Sequence, residues 1–325
     1  MSLINQLNAT TEYYWLQTEP VDILNKASAL VWRLMGNAIA RDNWEVQPHE
    51  MVDGGKMVKI PLEYANSHRG GYGATTVIDQ SKKDLFDAAR FRWAGIYGAN
   101  SLNLDDQVQN QGDAAIISLT NQYMKSIKKA ARVQMAEDVI SAAADSTRIN
   151  GLGDLFNTTT STEYGSIATD DMSDWKANVI DTVEPISYAV MQKIFREVDM
   201  GDHAWALPNF IVTTALLRDG YKQSLHPQQR YSDKDMVKAG WQNIWHENAP
   251  IVADPYVTAG ELMALNLNYL SLRSHPKFNF TTPVWVSKEV LGKPDDISAN
   301  TRWVGNLYCS NRKMHVLHTN LTAPA

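Results

Sequence analysis

The spacing of apolar residues changes period several times along the chain, and each change marks an element. From Pro20 to about Ile39, the residues Ile23, Leu24, Ala27, Leu30, Val31 and Leu34 fall on one face of a 3.6-residue repeat. That pattern predicts an amphipathic helix. Pro20 suits its first turn, and Gly36-Asn37 offers a stop signal. After Gly54-Gly55 the period drops to two. Lys56–Tyr64 reads as a strand, confined by Pro61 to an edge or a bulge because proline cannot donate to a ladder. In Arg90–Tyr97, Phe91, Trp93 and Gly95 alternate with Arg92 and Ala94, which predicts a returning strand. Between the two strands, residues 65–73 and the charged stretch Ser81–Asp87 offer nothing for a core. The result is a long ribbon with little hydrophobic mass. A lone two-stranded ribbon is marginal, so this one needs a surface to lie on.

Residues 105–145 carry the strongest helical signal. They contain no proline, and Asp105, Asp106 and Asp113 sit at the N-terminal end, where the helix dipole favours anions. A continuous helix over this stretch spans ~60 Å. Ile116, Leu119, Tyr123, Ile127 and Ala130 share one face, and Lys125, Lys128, Lys129 and Arg132 share the opposite one. Beyond Val133 the sides exchange: Ala136, Val139, Ile140 and Ala143 continue on the basic side, and Glu137 and Asp138 lie toward the former apolar side. This predicts a helix passing between two packed bodies, or a break near residues 131–134.

Residues 151–265 read as mixed α/β. Helices are predicted at about Ser187–Val198 and Thr213–Gln223, with short buried strands at Phe210–Val212 and Ile251–Ala253. Asp170–Asp174 reads as a loop capping a helix that starts near Trp175. From residue 266 onward Phe278, Phe280, Val284, Trp285 and Val286, then Trp303, Val304, Leu307, Tyr308, Val316 and Leu317, favour strands. Two long strands separated by a Gly292–Asn300 loop are predicted.

Candidate chemistry is sparse. Gly151-Leu152-Gly153 begins a dinucleotide fingerprint, but Phe156 stands where the third glycine belongs. A helix-terminating glycine is the better reading. Ser126-Ile127-Lys128-Lys129 matches S-x-x-K without the partner motifs of serine acyl enzymes. His315 and His318 lie in a predicted strand, Arg312–Thr319, where residues three apart point opposite ways and cannot share an ion. Cys309 is the only cysteine, which removes disulfides and thiolate clusters. It reads as a small buried hydrophobe. No cofactor is expected and no enzymatic activity. The formal net charge is −6, without the basic excess of a nucleic-acid reader. No apolar run approaches a membrane span, and the first basic residue is Lys26, which argues against a secretory signal with a charged n-region.

The order of elements resembles the major capsid protein of tailed bacteriophages, with the Hong Kong 97-type fold. Lys59-Ile60-Pro61-Leu62-Glu63-Tyr64 resembles the outgoing strand of that family's extended loop, and Asp84–Trp93 followed by Tyr97 its return. Asn110–Ile116 resembles the start of the spine helix, and Gly151–Leu155 the entry to the axial domain. Pro208–Val212 and Ile251–Pro255 resemble later axial core segments. The resemblance covers nearly the whole chain and implies an α+β fold. Its parts would be an N-terminal arm at 1–44, an extended β-hairpin loop at 45–101 and the spine helix of the peripheral domain at 102–150. An axial domain at 151–265 and the peripheral domain's long strands with a C-terminal return at 266–325 would follow. It implies a shell subunit that assembles into hexamers and pentamers around double-stranded DNA, in a virion, made in a bacterial cytoplasm. Only about 44 residues precede the loop, where many relatives carry a fused scaffold. The resemblance therefore implies a separate scaffolding protein, or none, with portal and decoration proteins as further partners.

Within that frame the candidate contacts to a neighbouring subunit or a scaffold are Trp15 on the arm, Arg69, Lys82 and Lys83 on the loop, and Lys125, Lys128, Lys129 and Arg132 on the long helix. The helix group is either a solvated face or a site for an acidic partner. Trp15, Trp32 and Trp44 are either anchors on a neighbour or part of this chain's own core. Two other readings stay open: a nanocompartment shell of the encapsulin type, which shares the fold, and a soluble α/β enzyme.

Overall fold

The computed structural model describes residues 28–35, 49–51, 54–73, 77–103, 105, 119–143, 145–159, 163–172, 175–198, 207–225, 243–247, 249–281, 285–288 and 293–323. Of the first predicted helix, Ala29–Leu34 (α1) is helical, with Ser28 as N-cap. Ala29, Leu30 and Leu34 are buried. Ile23, Leu24, Ala27 and Trp15 lie outside the described residues.

A short strand, β1 (His49–Met51), precedes the ribbon of β2 (Met57–Glu63) and β3 (Phe86–Arg92). The two pair from Met57↔Arg92 to Glu63↔Phe86 and with no other described strand, so Pro61 opposite Ala88 costs no third-strand bond among them. The ribbon finds its surface within the chain. Val58, Ile60, Leu62, Ala89 and Phe91 are buried in the main core. Arg90 N–H donates to Gly165 O at 2.7 Å. Gly165 has φ +64, and a Cβ there would meet the Ala89 methyl and the Phe91 ring. The predicted return strand Arg90–Tyr97 is in fact two. Trp93 interrupts it, and β4 (Ala94–Asn103) leaves the ribbon to join a different sheet. The buried face shifts there as well: Phe91 is buried before Trp93 and Ala94 and Ile96 after it, where the sequence period put Phe91, Trp93 and Gly95 together.

The long helix is α2 (Leu119–Ile140), continuous over 22 residues and so ~33 Å long. Residues 106–118 lie outside the described set. It crosses β4, and Gly98 makes the crossing possible: a Cβ there would strike the Ile127 carbonyl. The predicted exchange of faces takes another form. Ile127, Ala131 and Met135 carry the buried stripe and Ala130 is exposed. Ala136, Val139 and Ile140 are buried as expected, and so is Asp138. The buried face widens toward the C-terminus rather than switching sides. Asp138 tolerates burial because Arg148 Nη1 and Gln134 Nε2 both donate to it at 2.8 Å.

Gly151 does not end this helix. It is the N-cap of α3 (Leu152–Phe156), with φ −79. Glycine is needed there because a Cβ would overlap the Ser141 and Asp138 carbonyls at the end of α2. A two-strand turn, β5 (Glu163–Tyr164) and β6 (Ile167–Ala168), follows. No helix begins at Trp175. Its buried indole donates to Tyr164 O at 2.9 Å, and β7 (Asn178–Pro185) succeeds it.

The helices α4 (Tyr188–Arg196) and α5 (Ala215–Ser224) match the predicted runs, capped by Ser187 and Thr214. Between them lies β8 (Phe210–Thr213). β9 (Asn243–His246), β10 (Ala249–Ala253) and β11 (Leu262–Leu265) follow. β8 and β11 are buried at every position, as sheets covered on both faces are. Ile211, Ile251, Ala264 and Val316 face α4 and α5. Phe210, Val212, Val252, Met263 and Leu265 face the main core.

The C-terminal region contains β12 (Leu270–Ser274), a 3₁₀ turn at Pro276–Phe278, β13 (Val286–Lys288) and β14 (Lys293–Cys309). A second 3₁₀ turn, Arg312–Met314, leads to β15 (Val316–Thr322). The predicted loop at 292–300 is mostly strand: β14 runs 17 residues, because β4 pairs along one edge from Asp296 to Gly305. β13 and β12 pair along its other edge. β15 enters the six-stranded sheet β7-β15-β11-β8-β10-β9. The segment 266–325 therefore serves two sheets. No described helix is long and apolar enough to cross a membrane.

Candidate assembly surfaces

The ribbon ladder ends where Tyr64 N–H donates to Leu85 O at 3.0 Å. Beyond it, residues 66–73 and 77–84 are all exposed. Polar clasps hold this outer loop together. Lys83 Nζ donates to Asn66 O at 2.9 Å. The His68 ring lies 3.3 Å from Asp79 through Nδ1 and 3.2 Å from Ser81 Oγ through Nε2. Ser81 N–H donates to Asp79 at 2.9 Å, and the Ser81 donors hold the Asp79 carboxyl below its ordinary value. The loop also carries Tyr72, Val77 and Ile78, which are 78%, 93% and 59% exposed. Three large apolar groups thus stand exposed on an otherwise polar loop, an arrangement suited to contact with another surface. The sequence reading credited this loop with its basic residues and overlooked these three.

Arg69, Lys82 and Lys83 are exposed in this loop. Lys82 lies 3.7 Å from Asp84, with both side chains in solvent. Lys125, Lys129 and Arg132 are exposed on α2, and Lys128 is half-buried. The candidates therefore divide into a loop group and a helix group on separate elements. Trp15 lies outside the described residues.

The remaining sequence candidates have structural roles. Cys309 is buried, and burial pushes its thiol up to about 12, which removes the thiolate a nucleophile needs. His315 accepts from Asn266 N–H at 3.2 Å, and burial pulls it down to about 3. His318 sits 2.8 Å from Glu184. Among the described residues, no group of three or more His, Cys, Asp or Glu is placed to hold a metal ion. Sequence reasoning gave Arg312 no role, yet it is buried at the junction of β14 and β15. Nε and Nη2 donate to Leu155 O at 3.0 and 2.6 Å, Nη1 to Trp175 O at 2.9 Å, and Nη2 to Asn157 O at 2.8 Å.

No family model matches the chain, and no curated protein matches it. Solved structures do. The capsid asymmetric unit of cyanophage A-1(L) superposes with a TM-score of 0.63 at 16% identity, over 84% of this chain and 90% of that one. The capsid of a native GTA particle gives 0.60 at 11% identity, over 97% and 98%. The holo-SrpI encapsulin complex of Synechococcus elongatus gives 0.53 at 6% identity, over 85% and 86%. The chain has the fold of phage capsid subunits. It is α+β and of the Hong Kong 97 type, as the order of its elements implied.

Proposed function

We propose that this protein is the structural subunit of an icosahedral phage capsid, assembling with itself into hexamers and pentamers that enclose double-stranded DNA. The observation that carries the proposal is a capsid fold with a long ribbon whose outer loop, residues 66–73 and 77–84, is wholly exposed and bears Tyr72, Val77 and Ile78. A subunit with such a loop completes its contacts on its neighbours, and many modest contacts add across a shell. A net charge of −6 suits a container that must not grip phosphate. On this reading the chain has no catalytic role and resides in the virion after synthesis in the bacterial cytoplasm. It works with a separate scaffolding protein, a portal and decoration proteins. The helix group and the loop group are its contact residues.

The encapsulin-type nanocompartment is the second reading, favoured by the 0.53 match and opposed by the higher scores of the phage and GTA capsids. Two experiments test the proposal. Purified protein, with and without a co-expressed scaffold, is sedimented and imaged by negative stain. Closed shells or capsomers are expected, and a folded monomer in every condition refutes the reading. Deleting residues 66–82 is expected to preserve the circular dichroism spectrum and abolish closed shells. Loss of folding would instead place the loop in the core.

A further inference from the structure

Asp254 follows β10 and is 2% exposed. Its carboxylate faces the N-terminus of α1, 226 residues away in sequence. Oδ2 accepts the Ser28 hydroxyl at 2.5 Å and the Leu30 amide at 3.3 Å. Oδ1 accepts from Tyr256 N–H at 3.1 Å. Ser28 works in both directions, since its Oγ also accepts from Val31 N–H at 3.3 Å. The N-cap of α1 is thus itself held by a carboxylate from a distant strand end. Asp254 makes no ion pair among the described residues, so these donors are what compensate its buried charge.

The helix has little else of its own. Six residues are far short of the ~12–15 at which an isolated helix becomes marginal in water. Its order comes from docking: Ala29, Leu30 and Leu34 enter the main core, where α1 meets α2. With α1 lifted away, water can solvate Asp254 and no buried charge is stranded. With α1 docked but lacking the Ser28 hydroxyl, the carboxylate stays buried and short of a donor. That asymmetry makes the hydroxyl contact count more than an ordinary surface cap.

We propose that Ser28 and Asp254 form a latch that holds α1, and with it the root of the N-terminal arm, on the body of the unassembled subunit, and that this latch opens as a local step separate from unfolding. The latch itself follows from the geometry. Its consequence for shell formation rests on the capsid reading above.

Hydrogen exchange in the full-length, unassembled protein tests it. The reporters are α1 amides, including Trp32 N–H bonded to Ser28 O and Met35 N–H bonded to Val31 O, against the amides of α2. Ser28→Ala is expected to speed α1 exchange about tenfold, the loss of roughly one hydrogen bond to a charged group, and to leave α2 unchanged. Ser28→Thr keeps the hydroxyl and is expected to return exchange to near wild type. Unchanged α1 exchange in Ser28→Ala overturns the latch. So does exchange rising equally in α1 and α2, because α1 would then be an ordinary part of the global core. Shell yield is read separately and is expected to fall in Ser28→Ala. Wild-type protein that forms no shells sinks the capsid reading and leaves the exchange result to judge the latch. Normal shell yield with fast α1 exchange removes the latch's assembly role.

Discussion

Replacing Arg312 by lysine keeps a positive charge and removes a planar fork. The guanidinium joins three segments far apart in sequence: the C-terminal carbonyls of α3 at Leu155 and Asn157, the Trp175 carbonyl, and the turn before β15. Its carbon also lies 4.9 Å from the centre of the Tyr164 ring. The residue is 1% exposed, and burial pulls its pKa down. A lysine has one nitrogen on a flexible stem, so it cannot serve carbonyls on both sides of the fork. At least one of the three carbonyl groups then loses its donor, and two do if the ammonium settles on a single carbonyl. Each buried polar group left unpaired costs ~1–3 kcal/mol, which puts Arg312→Lys at roughly 2–4 kcal/mol. Arg312→Met strands all three carbonyls but removes the cost of burying a charge, so it is expected to land in a similar range of about 2–4 kcal/mol. Urea unfolding of the unassembled subunit, followed by circular dichroism, reads both. If Arg312→Lys stays within about 0.5 kcal/mol of wild type, charge alone explains the site and the argument from fork geometry fails.

Three further outcomes are expected. Gly151→Ala keeps an allowed φ but drives a methyl into the Ser141 and Asp138 carbonyls, so it should cost ~1–3 kcal/mol in the same assay. Gly71→Ala, where nothing lies within 4 Å, is its neutral control, and equal effects would refute the packing account. Lys128→Glu with Lys129→Glu should leave the subunit's melting temperature nearly unchanged and lower shell yield. Raised salt should mimic the defect by screening the same contacts, and normal yield at low and high salt would leave only a solvated face. Burial raises the Asp254 carboxyl above its ordinary value against the pull of its donors. The folded subunit therefore holds a proton at Asp254 more readily than the unfolded chain, so this group favours folding below its unfolded value and the advantage is lost as pH rises through its folded value. Urea midpoints across the acid range in wild type and Asp254→Asn would isolate that contribution, and the opposite slope of their difference would refute the assignment.

Some of this protein can be read from short stretches of sequence. Ser187 and Thr214 cap their helices through bonds to residues three positions on, and the apolar runs at Phe210 and Ile251 are strands because both faces are covered. Pro61 marks a ribbon that never becomes the interior of a sheet. The succession of ribbon, long helix, mixed layer and late strands is enough to name the fold, because order along a chain survives where individual matches are weak. Local period, capping chemistry and proline geometry are properties of neighbouring residues, so they are visible without a structure.

Other features depend on partners that arrive from elsewhere. The polar stretch 293–300 looks like a loop until β4 pairs along it. Gly151 looks like a helix stop until the end of α2 occupies the space where its Cβ would be. Asp138 looks exposed until Arg148 and Gln134 meet it, and Val316-Leu317 looks like a continuation of the strand at Trp303–Tyr308 until β15 enters the other sheet. Arg312 carries no motif, and the Ile251–Pro255 stretch gives no sign of what Asp254 binds. Their importance comes from burial, which turns an ordinary charged side chain into one whose hydrogen bonds must be supplied by carbonyls or amides more than a hundred residues away. Which distant segments come together is decided by the packing of the two cores, so those roles exist only in the folded chain.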